Sequence, residues 1–212
     1  MGLDVMVGAL IDAEQDTADW FREECATIRA VLEREGLPGW REPETGEQFC
    51  DRVWGYSGLH TLRRVAVHLA TKGQLPEPLE DGRRATDDEL LREAYFDVPD
   101  DPPGPFDHLV HHSDCEGYYV PVDFGPVLVD EELSGGSLGS SVRLLAELKA
   151  LAEALGLPED LDPDSEEVSD ACDGPAPDAE GWRRYGTESF ICLQLMRAAR
   201  HSVATGAVMA FC

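Results

Sequence analysis

The sequence predicts an α+β fold in which about four helices pack on a small antiparallel sheet, joined by long Pro-rich and acidic loops. Three observations carry this. Four long stretches repeat apolar residues with the helical period, short runs of β-formers lie between them, and glycine and proline punctuate the joins. At 212 residues the chain reads as a single domain, 1–212, with a core large enough to need no disulfide or metal.

Residues 3–10 alternate apolar side chains at Leu3, Val5 and Val7, as a strand does. Residues 13–35 read as a helix with Phe21, Cys25, Ile28, Val31 and Leu32 on one stripe, stopped by Gly36 and Pro38. A second helix over 58–72 is capped by Ser57, buries Leu59, Leu62, Ala66 and Leu69, and ends at Gly73. A shorter one over 87–96 starts from a Thr86 cap, with Asp87, Asp88 and Glu89 at the positive end of the dipole. Four prolines within 97–107 exclude regular structure there.

Two β-type runs follow, 108–112 and 118–124, flanking Ser113-Asp114-Cys115-Glu116-Gly117 as a hairpin and its loop. The glycine-serine stretch 134–141 opens a helix over 140–155, which Gly156 and Pro158 terminate. Residues 158–180 read as an acidic surface loop. A last helix covers 186–203, and Ala207–Phe211 returns as a strand.

Charge is the strongest compositional signal. The chain carries 43 acidic and 17 basic residues, a net charge of -26. Nucleic-acid and anionic-membrane binders need a basic face, so this balance excludes nucleic acid and membrane as direct partners. From Glu93 to Glu132 there are eleven acids and no Lys or Arg; from Glu159 to Glu180 there are ten and again none. Residues 181–212 invert the sign, with Arg183, Arg184, Arg197 and Arg200 against Glu188 alone. On the last helix Gln194, Arg197, Arg200 and His201 share a stripe, which either pairs with the neighbouring acidic loop or binds an anionic ligand. Arginine is favoured over lysine, Lys72 and Lys149 being the only two lysines, as a GC-rich bacterial genome would give. The N-terminus lacks a basic region before its apolar residues, and the six cysteines stand apart with no Cys-x-x-Cys, so a reduced, cytoplasmic setting is expected.

One segment concentrates reactive groups: His108, His111, His112, Asp114, Cys115 and Glu116. Imidazole with carboxylate suits a transition metal, and imidazole beside a thiol suits a nucleophile, so His111, His112, Asp114, Cys115 and Glu116 are the catalytic or metal-binding candidates. Neither template is complete, since no second ligand cluster matches. His60 and His68 flank Arg64 where a zincin helix would need histidine, which rejects that motif. The Ser134–Ser141 stretch could cradle an anion on free backbone N–H groups, with Ser137 and Ser140 joining Arg197, Arg200 and His201 as anion-binding candidates. It lacks the Walker lysine and the dinucleotide fingerprint. Asp160, Asp162 and Asp164 have calcium-loop spacing, but Ser165 and Ala171 stand where glycine and glutamate are required.

These observations rank three functions. The first is a soluble, cytoplasmic binding protein whose acidic surface steers a basic protein partner, as an inhibitor or immunity-type protein does. The second is a small enzyme or metal-binding protein built on 108–116. The third is a DNA mimic, placed last because its acids fall largely in Pro-rich loops, where a mimic needs them on a rigid face. Nothing in the pattern specifies a cofactor, a metal or an oligomeric state.

Overall fold

The computed structural model describes residues 3–53, 55–80, 82–96, 104–174 and 179–211. The α+β class holds, with seven α-helices among the described residues and a six-stranded sheet. The elements run β1 Leu3–Val7, α1 Gln15–Arg34, β2 Phe49–Val53, α2 Gly55–Lys72, α3 Glu89–Phe96, α4 Asp107–Val110, β3 Tyr118–Val120, β4 Leu128–Val129, β5 Ser137–Ser140, α5 Ser141–Leu155, α6 Glu166–Cys172, α7 Gly186–Thr205 and β6 Met209–Phe211. The sheet order is β2-β1-β6-β3-β5-β4, and β3 and β5 run parallel while the other neighbours are antiparallel.

Both faces of the sheet are covered, which explains its period-2 pattern of large residues. Leu3, Val5, Val7, Tyr119, Met209 and Phe211 face a core shared with α2, α5 and α7. Tyr118, Val120, Val208 and Ala210 face a second core built on Phe21, Cys25, Ile28 and Leu32 of α1. Helix α7 lies deepest, with Ile191, Cys192, Ala198 and Ala199 fully buried. It is apolar on most of its circumference, as a helix packed on several sides must be.

Several expectations are corrected. The run 108–112 is not a strand: Asp107–Val110 forms one helical turn, because its backbone N–H groups are capped by a side chain from α5 and its carbonyls by Arg63. The sheet is mixed, since the glycine-serine stretch contributes β5 beside β3 before α5 begins. The strands β2 and β4 have no clear alternation of their own, being a half-exposed strand and a two-residue edge strand. The segment 158–180 is not simply a loop, because it contains α6. The Thr86 cap is also displaced: Ala85–Asp87 forms a 3-10 turn, and Asp88 Oδ1 accepts the Leu91 N–H at 3.2 Å to start α3. Of the proline-rich stretch, residues 97–103 lie outside the described residues, as do 175–178 of the acidic segment.

Candidate functional site

The histidine segment is assembled around α4. Glu147 of α5 reaches the start of that turn, where its two carboxylate oxygens accept the N–H groups of His108 at 3.0 Å and Leu109 at 2.8 Å. Arg63 of α2, entirely buried, closes the other end by donating to the carbonyls of Leu109, His112 and Ser113 at 2.8, 2.6 and 3.2 Å. A one-turn helix with one end closed by a carboxyl group and the other by a guanidinium is held by its surroundings, not by propensity.

Each histidine here is engaged by its neighbours. His108 accepts the Ser140 N–H on Nδ1 at 3.0 Å and donates from Nε2 to the Gly125 carbonyl at 2.6 Å. Burial lowers its pKa. His111 lies 2.7 Å from Asp107 Oδ1 through Nδ1 and 3.0 Å from the Ala94 carbonyl through Nε2. That carboxylate raises the His111 pKa, favouring the imidazolium that donates to both. His112 stacks on the Tyr119 ring with centroids 3.9 Å apart, and each of its nitrogens faces a carbonyl, Ser113 at 3.1 Å and Tyr118 at 3.0 Å. Burial pushes it down to about 4. Gly117 makes the turn tight enough for this: its φ is +96°, and a Cβ there would sit 2.9 Å from the Ser137 carbonyl.

The remaining candidates of that segment diverge. Asp114 Oδ2 pairs with His60 Nε2 at 3.1 Å. Cys115 and Glu116 are exposed; the thiol lies 3.8 Å from Ser113 Oγ, and among the described residues no imidazole is hydrogen-bonded to it. Among the described residues, no three His, Cys, Asp or Glu side chains come together as a metal site.

Ser137 and Ser140 join this region, while the basic stripe does not. Both serines are buried on β5, and Ser140 Oγ accepts the Arg143 N–H at 3.2 Å as the cap of α5. On the far side of α5 and α7, Arg197 donates to Asp164 at 2.7 Å and lies within 3.9 Å of Asp162 and 3.7 Å of Asp51. The Asp164 hydrogen bond raises the Arg197 pKa further. His201 donates to the Glu47 carbonyl at 2.8 Å, and Arg200 is exposed. Gln194 of the same stripe is buried, 1 % exposed.

The acidic segment behaves oppositely to the histidine segment. Glu159, Asp160, Asp162, Asp164, Glu166, Glu167, Asp170 and Asp173 are all exposed. Ion pairs take up three of them, Asp162 and Asp164 by Arg197 and Glu167 by Arg183. Helix α6 sets Glu166, Asp170 and Asp173 on successive turns of one face, with Glu167 beside them. Its opposite face is anchored by Val168 and Ala171, 0 % and 8 % exposed. The anchor is close: a Cβ on Gly186 at the start of α7 would lie 2.0 Å from the Ala171 carbonyl oxygen. Only glycine lets the two backbones approach so nearly. These carboxylates were not singled out from the sequence, although Ser165 ahead of Glu166 and Glu167, with Val168 and Ala171 three apart, is a helix-start pattern.

No helix among the described residues is long and apolar enough to cross a membrane. No curated protein and no solved structure matches the chain. Residues 1–211 match the family described as "Putative DNA-mimic protein". This description corrects the expectation of an unspecified basic protein as partner, pointing instead to a protein that binds DNA, and it is consistent with the expected protein-binding role. It also raises mimicry from the last place given to it, and three of the acids, Glu166, Glu167 and Asp170, stand on a helix and not in a Pro-rich loop. With the match running from the first residue to the last but one, the chain belongs to the family that carries this description.

Proposed function

We propose that this protein binds a DNA-binding protein at its DNA-contacting surface, offering carboxylates where that surface meets phosphates. The observation that carries the reading is the presentation of α6: exposed carboxylates on a helix whose other face is locked into the core. Glu166, Asp170 and Asp173, free of ion pairs among the described residues, place three charges over about 10 Å of helix axis, against about 3.4 Å per charge along one strand of duplex DNA. The density is of the same order. The net charge of -26 adds long-range attraction toward a cationic surface and speeds encounter at low salt. This reading puts the protein in the cytoplasm, where DNA-binding proteins are met.

The experiment is displacement. DNA-binding proteins recovered on a duplex-DNA column are mixed with labelled duplex, and the purified chain is titrated in. The expected result is release of duplex from at least one of them, weakening steeply as salt rises. Duplex that stays bound throughout the titration, at low salt, overturns the proposal.

A further inference from the structure

A cleft of about 300 Å³ lies beside α6, bordered by Asp51 of β2, Asp164 and Ser165 before α6, Ser169 on it, and Phe190 and Gln194 of α7. Two of its polar groups are unusual. Gln194 is 1 % exposed, yet its Oε1 has no hydrogen-bond partner. Ser165 Oγ is buried and likewise unpartnered. An unsatisfied buried acceptor is costly, and such a group bordering a cleft is explained when a donor enters from outside.

Charge says which donor. Asp51, Asp162 and Asp164 converge on Arg197, and Arg52, which also borders the cleft, lies 3.8 Å from Asp4, so four carboxylates face two guanidinium groups and the mouth keeps a net negative charge. The local chemistry therefore accepts a guanidinium, as Arg197 demonstrates, and has anionic capacity left over. A planar guanidinium offers five donors and suits neutral and anionic acceptors set side by side; an ammonium offers a point charge that is harder to dehydrate. The Phe190 side chain supplies an apolar wall for the stem of a long cation.

We infer that this cleft is a receptor for an arginine side chain of the DNA-binding partner, with the carboxylates of Asp51 and Asp164 at the mouth and the Gln194 amide at the floor. It deepens the proposed function and rests on it for the source of the arginine: α6 would imitate the phosphates, and the cleft beside it would seat one side chain that DNA-binding surfaces carry in abundance.

The test needs no partner protein. The full chain, labelled with nitrogen-15, is titrated with N-acetyl-arginine amide, and in parallel with N-acetyl-lysine amide. The arginine probe is expected to give saturable shifts at the Gln194 side-chain amide and at the Ser165 and Ser169 backbone amides, larger than those from the lysine probe. Gln194→Met is expected to lose them. Should that buried change unfold the chain, Asp164→Asn, at a side chain 60 % exposed, is expected to weaken the same shifts. Equal shifts with both probes overturn the guanidinium assignment, and shifts absent from Gln194 overturn the site. Because the readout is the probe alone, its failure leaves duplex displacement untouched, and failed displacement leaves the cleft's preference measurable.

Discussion

The histidine segment around α4 and the acidic segment around α6 each carry a dense set of ionisable groups, and the protein uses them in opposite ways. Around α4 the donors and acceptors are turned inward: Glu147 and Arg63 cap one helical turn, and His108, His111 and His112 bond to backbone or to Asp107. Around α6 the polar groups face out and the apolar ones anchor, with Glu159, Asp160, Glu166, Asp170 and Asp173 free of ion pairs among the described residues. A cluster whose hydrogen-bonding capacity is consumed internally specifies the fold. One whose capacity is held rigidly toward solvent is available to a partner.

The sharpest way to break this comparison is at Arg63. Arg63→Met keeps the volume but strips two buried carbonyls and one part-buried carbonyl of their donor, and should cost about 2–4 kcal/mol in denaturant unfolding. Duplex displacement by the protein that remains folded should be unchanged. A stable Arg63→Met, or a folded one that no longer displaces duplex, would show that the two segments are not divided between fold and function.

Gly186→Ala probes the other side. Its Cβ would meet the Ala171 backbone at 2.0 Å, a contact no rotamer relieves, so about 1–3 kcal/mol should be lost. The loss should appear first as protease cleavage within 159–173, with displacement weakening in step. Cleavage elsewhere would mean that α6 is not held by this contact.

A smaller effect appears in the pH dependence. Burial pushes Glu147 up from 4.5 to about 8, so the folded chain retains a proton that the unfolded chain releases. Stability should therefore fall as pH rises from about 4.5 toward 8. His111 adds the same sign: its contribution is complete below about 6.5 and is lost as pH climbs through its raised folded value. For Asp107, burial is outweighed by the His111 and Val127 hydrogen bonds, so its carboxyl titrates below the usual range and affects only the acid limb. Glu147→Gln should flatten the decline between pH 5 and 8 in denaturant titrations. An unaltered slope would mean that Glu147 is ionised in the fold as it is in the unfolded chain.

The smallest effect is expected at Cys115. The thiol is exposed and hydrogen-bonds to no imidazole among the described residues, so Cys115→Ser should change stability by no more than about 0.5 kcal/mol and leave displacement intact.

The long helices and the first and last strands were legible because their periodicity is set by burial on one face, as Phe21, Cys25 and Ile28 show on α1. The run 108–112 misled for a physical reason. His108 to His112 has no helical signal of its own, and Glu147 and Arg63, about forty residues away on either side, supply the caps that make it a helix. The strand β5 hid in a glycine-serine stretch because Gly139 is demanded by packing: a Cβ there would lie 2.4 Å from the Tyr119 ring. At α6 the acids were visible, but their rigidity was not, since the Gly186 contact that fixes them lies beyond a proline-containing gap in sequence. Gln194 reads in the sequence as one member of a polar stripe; in the fold it is buried and borders the cleft beside α6.

The most direct measurement neutralises the α6 face without touching its anchor. Glu166→Gln, Glu167→Gln, Asp170→Asn and Asp173→Asn, combined in one chain, leave Val168, Ala171 and Gly186 in place, and surface changes of this kind should shift unfolding little. Displacement of duplex from its DNA-binding partner is then followed against salt for this chain and the unaltered one. The account predicts at least about a tenfold loss of apparent affinity at low salt and a shallower salt dependence, as fewer charges meet the cationic surface. Equal affinity and an equal salt slope for the two chains would contradict it.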